Sequence, residues 1–146
     1  MRRIMIAVAL VSALALLACG GDDDEKGGSV SVTLREFSIS TDKSSAPAGA
    51  ITFNVTNTGP DDAHEFEVIK TDLALNAIPK NDDGSANTED LEEVDELEEL
   101  EVGSSESLAV DLERGKYVLI CNLLEQEDGE IVAHFQQGMR KEFTVE

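Results

Sequence analysis

Residues 47–60, Pro47-Ala48-Gly49-Ala50-Ile51-Thr52-Phe53-Asn54-Val55-Thr56-Asn57-Thr58-Gly59-Pro60, hold a complete strand between two turns. Ile51, Phe53 and Val55 alternate with Thr52, Asn54 and Thr56, and this period of two turns one face toward a core. Pro47-Ala48-Gly49 and Asn57-Thr58-Gly59-Pro60 are turn formers that punctuate it at each end. The same pattern recurs on both sides. Val30, Val32 and Leu34 alternate with Ser31, Thr33 and Arg35, and residues 38–40 read as an extension of that strand. Downstream, His64, Phe66 and Val68 share one face, and Glu65, Glu67 and Ile69 share the other. The glutamates mark that second face as wet, so His64 is expected to point inward. Residues 108–112, 117–121 and 142–145 supply three more strands, with a turn around Arg114-Gly115.

Short strands separated by turns, with no internal repeat and no long amphipathic helix, predict an all-β fold, an antiparallel Greek-key β-sandwich. A long acidic excursion interrupts it at residues 71–101. Eleven carboxylates lie between Asp82 and Glu101, and Leu91, Val94 and Leu97 recur every third residue, which predicts a helical turn or two, with 98–102 returning to the sheet. The excursion fails as an EF-hand calcium loop. Aligning Gly84 with the fixed glycine puts Pro79 where the first Asp ligand must stand. It reads as a solvated, self-repelling surface, or as a docking patch for a basic partner.

The chain of 146 residues carries 31 acidic against 11 basic residues, a formal charge of −20, yet 41% of it is hydrophobic, enough for one ordinary core. A surface this negative repels phosphate backbones, which excludes nucleic-acid binding. The start is different in kind. Met1-Arg2-Arg3 is followed by an uncharged run from Ile4 to Ala18, the pattern of an export signal and too short for a comfortable membrane span. The run ends Leu16-Leu17-Ala18-Cys19, which resembles the lipobox of bacterial lipoproteins, although Leu17 is a less usual residue there. That resemblance implies cleavage before Cys19 and a lipid on Cys19. The competing reading is an ordinary secretory signal that leaves Cys19 as a spare thiol. The expected organisation is a signal peptide at 1–18, a flexible tether at 19–28 and one folded domain at 29–146. Without the signal, nine basic residues face 31 acidic ones, a charge of −22.

Beyond Cys19, the exported chain contains one cysteine, Cys121, two histidines, His64 and His134, and one methionine, Met139. A single further cysteine has no internal disulfide partner, and a bare thiol outside the cytoplasm oxidises readily. Two imidazoles, one thiolate and a weak thioether are the donors of a blue-copper electron-transfer site. The order of these residues is similar to that of the cupredoxins: a histidine on an early strand, Tyr117-Val118-Leu119-Ile120-Cys121, then His134-Phe135-Gln136-Gln137-Gly138-Met139 before a final strand. The resemblance spans residues 29–146 and keeps the family's His-x4-Met spacing. It implies a mononuclear copper site with His64, Cys121 and His134 as strong ligands and Met139 as the axial one. It also implies that Tyr117 and Leu119 line the shell around the site, and that His134 lies on a loop at the site's mouth as the exit for the electron.

Two features depart from the family. Twelve residues, 122–133, separate Cys121 from His134, where a few are usual, and Glu65 follows the first histidine where many members carry an asparagine. Alternation directs Glu65 away from the site. No Gly-x-Ser-x-Gly, His-Glu-x-x-His or phosphate-cradling glycine loop is present, so catalysis is not expected. The resulting expectation is a monomeric, membrane-tethered, extracytoplasmic carrier of single electrons, serving a basic cytochrome or oxidase domain. Two other readings stay open, a copper-binding or copper-delivery lipoprotein and a metal-free structural sandwich. Zinc competes with copper for the same donors.

Overall fold

The computed structural model describes residues 27–146, so the expected signal peptide, Cys19 and nearly all of the tether lie outside the described residues. The strands are β1 (Gly28–Arg35), β2 (Ser38–Thr41), β3 (Ser45–Ala46), β4 (Gly49–Asn57), β5 (His64–Lys70), β6 (Glu92–Leu100), β7 (Ser105–Leu112), β8 (Gly115–Ile120), β9 (Leu124–Glu127), β10 (Glu130–Ala133) and β11 (Arg140–Val145). One short helix, α1 (His134–Gln137), follows β10. A four-stranded sheet in the order β2-β1-β4-β7 packs on a five-stranded sheet in the order β3-β11-β8-β5-β6, and β9 and β10 form a separate hairpin. The two-sheet sandwich expected from the alternation is the architecture found. Most neighbours are antiparallel, while β1 and β4, and β3 and β11, run parallel.

The alternating residues meet between the sheets. Val30, Val32, Leu34, Ile51, Phe53 and Val55 from one sheet pack against Phe66, Val68, Tyr117, Leu119 and Phe143 from the other. Phe53 is central, with ring centroids 5.4 Å from Phe66 and 5.5 Å from Phe143. Both contacts are tilted or edge-on, the favoured arrangement for aromatic pairs.

Several local expectations are corrected. Residues 38–40 do not prolong β1; they fold back as β2, which pairs antiparallel with it, Leu34 opposite Ile39. Residues 91–97 are not helical. Leu91 packs on the cluster at the outer side of the five-stranded sheet, and residues 92–97 belong to β6, whose pairing with β5 shifts register between His64 and Phe66 and again between Val68 and Ile69. Each shift adds one residue to β6, so Val94, Leu97 and Leu100 face inward at intervals of three without a helix. The other face of β5 is not wet either. A second cluster, Ile69, Val118, Ile120 and Phe135 with Ile78 and Ala86, covers the outer side of the five-stranded sheet. The segment between β5 and β6, with a 3-10 turn at Leu75–Ala77 and a bridge between Lys80 and Ala86, supplies that cover. Glu67 is therefore buried, 6% exposed, although the glutamate pattern alone marks it as solvent-facing.

Candidate metal centre

Antiparallel neighbours bring opposite chain ends together. In the five-stranded sheet, β5 pairs with β8 so that Glu67 lies opposite Ile120, and β8 pairs with β11 so that Arg140 lies opposite Ile120. The start of β5, the end of β8 and the start of β11 thus share one end of the sandwich. These are the positions of His64, Cys121 and Met139. His134 arrives from α1, whose N–H donates to the Leu123 carbonyl at 3.0 Å.

All four residues singled out in the sequence are fully buried at 0% exposure. His64 Nδ1 and His134 Nδ1 lie 3.1 Å apart, and Cys121 Sγ lies 3.4 Å from His134 Nδ1. The three side chains each aim one donor atom at the same point, all within 4.8 Å of one another. Met139 lies in the same core cluster as Cys121. Its N–H donates to the His134 carbonyl at 3.0 Å, and its carbonyl accepts the Cys121 N–H at 3.1 Å, so its backbone is tied to both neighbours. Tyr117 and Leu119 are buried in that cluster too, but Tyr117 lies opposite Lys70, at the end of β5 away from His64, and so not beside the donors. Gly138 makes the His134-to-Met139 turn possible. Its φ is +131°, and a Cβ there would stand 3.1 Å from the Phe37 carbonyl oxygen.

These separations suit one metal ion. Two nitrogens each about 2.0 Å and a sulfur about 2.3 Å from a common centre stand a little over 3 Å apart in a trigonal or tetrahedral arrangement. The charge states suit it equally. Burial, with His134 adjacent, lowers the pKa of His64, so its imidazole is neutral. Burial pushes the Cys121 thiol up to about 12. A metal is what would turn that thiol into a thiolate in so dry a place.

Glu65 keeps to the side of β5 away from the donor atoms, its carboxyl beside that of Glu67, yet it reaches the cysteine loop. The first register shift falls at Glu65, and its carboxylate accepts the Asn122 N–H while its own N–H donates to Cys121 Sγ at 3.4 Å. It thus braces the cysteine loop against β5. Asn122 extends the brace outward by accepting the Ala86 N–H at 2.6 Å and donating to the Ala86 carbonyl at 3.1 Å. The long segment at 122–133 is structured. Residues 124–133 form the β9–β10 hairpin, with Glu127 opposite Glu130 and Leu124 opposite Ala133. His134 lies on α1 and is wholly buried, not on an open loop.

Sequence reasoning missed four neighbours of the histidines. Glu36 Oε1 lies 3.6 Å from His64 Nε2, and Glu125 Oε2 lies 3.5 Å from His134 Nε2. Asp62 joins Glu125 and His134 in a second group of potential donors. The Phe37 ring meets His134 edge-on at 5.1 Å. Burial works to raise the Glu36 pKa, but the N–H groups of Asp62 and Asp61 and the His64 ring outweigh it and hold the carboxyl below its usual range. Burial and the nearby Asp62 carboxylate raise that of Glu125. None of these residues carries a local signature; the hairpin turn between β1 and β2 brings in Glu36 and Phe37, the loop before β5 brings in Asp62, and the β9–β10 hairpin brings in Glu125.

The architecture is that of the cupredoxins. The chain is similar to the reduced auracyanin of Roseiflexus castenholzii, with 22% identity, a TM-score of 0.54, and 84% of this chain and 98% of that one covered. It is similar also to rusticyanin of Thiobacillus ferrooxidans, at 14% identity and a TM-score of 0.58, covering 83% and 78%. Auracyanin A of Chloroflexus aurantiacus, described as a blue copper protein, aligns at 16% identity and a TM-score of 0.54 over 82% and 99%. In sequence, no family model and no curated protein matches.

Glu67 yields a stability prediction. Burial, the Glu65 carboxyl beside it and the charges of Glu93 and Glu96 raise its pKa to about 9. Between the ordinary value near 4.5 and about 9, the folded chain keeps a proton that the unfolded chain releases. Stability is therefore fully present below that window and falls as pH rises through it. Denaturant melts across this range should show that decline, and Glu67→Gln, which mimics the protonated acid, should flatten it. An unchanged slope in the variant would refute the assignment.

Proposed function

We propose that the protein is a membrane-tethered, extracytoplasmic copper protein that passes single electrons between redox partners, with His64, Cys121, His134 and Met139 as its metal ligands. The observation that carries this reading is the convergence of two imidazole nitrogens and one thiol on one buried point in a cupredoxin fold. Copper bound there would cycle between its two oxidation states, with imidazole suiting both and the sulfur donors favouring the reduced one. The protein's part is to keep the donors still. Backbone hydrogen bonds tie His134, Met139 and Cys121 to one another, and the Glu65 N–H fixes the sulfur from the β5 side. The Glu65–Asn122–Ala86 brace resists displacement of the cysteine loop. The paired hairpin between Cys121 and His134 supports the electron carrier over a delivery protein, since release would require a site that opens.

A visible absorption titration of the purified protein with Cu(II) tests this directly. An intense thiolate-to-copper band is expected, and it should vanish in Cys121→Ser. A wild-type protein without that band refutes the carrier.

The surface supports a basic partner. β6 is the outermost strand of its sheet, and Glu92, Glu93, Asp95, Glu96, Glu98 and Glu99 on it are exposed. Its Leu100 end lies opposite His64, so the acidic edge runs up to the metal end of the sandwich. Attraction between such a surface and a basic cytochrome or oxidase domain is long-ranged and screened by salt. Electron-transfer rates to a basic cytochrome should fall by tenfold or more between about 10 mM and 0.5 M salt, a range over which the Debye length drops from about 30 Å to less than 10 Å. Rates independent of salt would discard the docking role.

The tether rests on the sequence of residues 1–28. In a bacterial host, the wild-type protein should fractionate with membranes, and Cys19→Ala should move to the soluble or unprocessed fraction. Equal membrane association of both forms would discard lipid anchoring.

A further inference from the structure

The outer nitrogens of both imidazoles pose a hydrogen-bonding problem that the ligand set leaves unsolved. His64 Nε2 and His134 Nε2 are buried and without a hydrogen-bond partner. When Nδ1 binds a metal, the proton of a neutral imidazole must sit on Nε2, where it needs an acceptor. A carboxylate stands before each one, Glu36 Oε1 at 3.6 Å from His64 and Glu125 Oε2 at 3.5 Å from His134. Glu36 is itself half-satisfied. Its Oε1 accepts the N–H groups of Asp61 and Asp62 at 3.1 and 2.6 Å, while its Oε2 is buried with no partner. An orphan donor thus faces a carboxylate with an orphan acceptor, and a small rotation satisfies both.

We propose that Glu36 and Glu125 are the positioning residues of the metal centre, each taking the Nε2 proton of one histidine so that both rings hold their Nδ1 lone pairs inward. The inference rests on the metal-site reading above. Glu36 is held by the hairpin turn between β1 and β2 and by the loop before β5; Glu125 is held by the β9–β10 hairpin. The long segment between Cys121 and His134 therefore has a use, since it carries the acceptor for His134. Two carboxylates next to the rings make the imidazoles stronger donors and add negative charge near the ion. Both effects favour the more highly charged oxidation state and lower the reduction potential.

The test compares Glu36→Gln and Glu125→Gln, which keep an acceptor without the charge, with Glu36→Leu and Glu125→Leu, which remove both. Zn(II), which has no redox activity, is the first probe, measured by chelator competition on the full chain. Each Leu variant should lose ten- to a hundredfold in Zn(II) affinity and each Gln variant less, the range typical for partners of metal-bound histidines. The second readout is the potential of the copper form. A tenfold loss of Cu(II) over Cu(I) binding reads as a rise of about 59 mV, and both Gln variants should shift upward. Wild-type protein that binds neither ion overturns the metal-site reading itself. Wild-type protein that binds, with all four variants within twofold in affinity and unchanged in potential, overturns the positioning role alone. Melting of the metal-free variants separates a fold defect, which would lower stability without moving the potential of the Gln forms.

Discussion

The metal end of this protein depends on one pairing register, Ile120 set between Glu67 on β5 and Arg140 on β11. The three strands run antiparallel, so the residue before β11, the residue after β8 and the first residue of β5 come to one edge of the sheet. Sliding β8 by one position would turn Cys121 from the core face to the outer face. The register is in turn held by side chains that have only one place to go: Val68 and Leu119 into the inner core, Ile69, Val118 and Ile120 into the outer cluster. A sheet covered on both sides cannot slip without exposing one of these sets.

Burial then sets the chemistry. A thiol pushed up to about 12 and a His64 imidazole kept neutral by burial are stable inside the sandwich when no ion is near. The same dryness means that a thiolate there needs a cation to accompany it, because an unpaired buried charge costs several kcal/mol. The site is thus quiet as a thiol and selective as a ligand. Its place in the close-packed core, with Met139 and Cys121 in the same buried cluster as Phe66 and Leu119, keeps the donor separations fixed.

Much of this is legible in the sequence, for reasons that differ by residue. The alternation at 30–34 and 51–55 gives the strands because these have a single buried face, and the scarcity of Cys, His and Met gives the donor set. What fails are the places where a second layer intervenes. Glu67 reads as wet because a local pattern cannot show that residues 71–91 fold over it. Val94 and Leu97 read as helical because two bulges turn a strand's period of two into three. Glu36 and Glu125 carry no sequence signal, since only the folded hairpins place them against the imidazoles.

The acidity of the chain divides by depth. On β6, the carboxylates occupy an exposed edge whose unpaired backbone groups would otherwise invite another strand, and like charges along it discourage that pairing. There each charge is screened and acts mainly on approaching partners. At Glu36, Glu65, Glu67 and Glu125 the carboxyl groups are partly or wholly withdrawn from water, and each has a definite neighbour: an imidazole, an amide or another carboxyl. Interactions at that depth are screened far less. Net charge therefore describes how this protein meets others, while its few inward carboxyl groups act on the metal centre and on the stability of the sheet beside it.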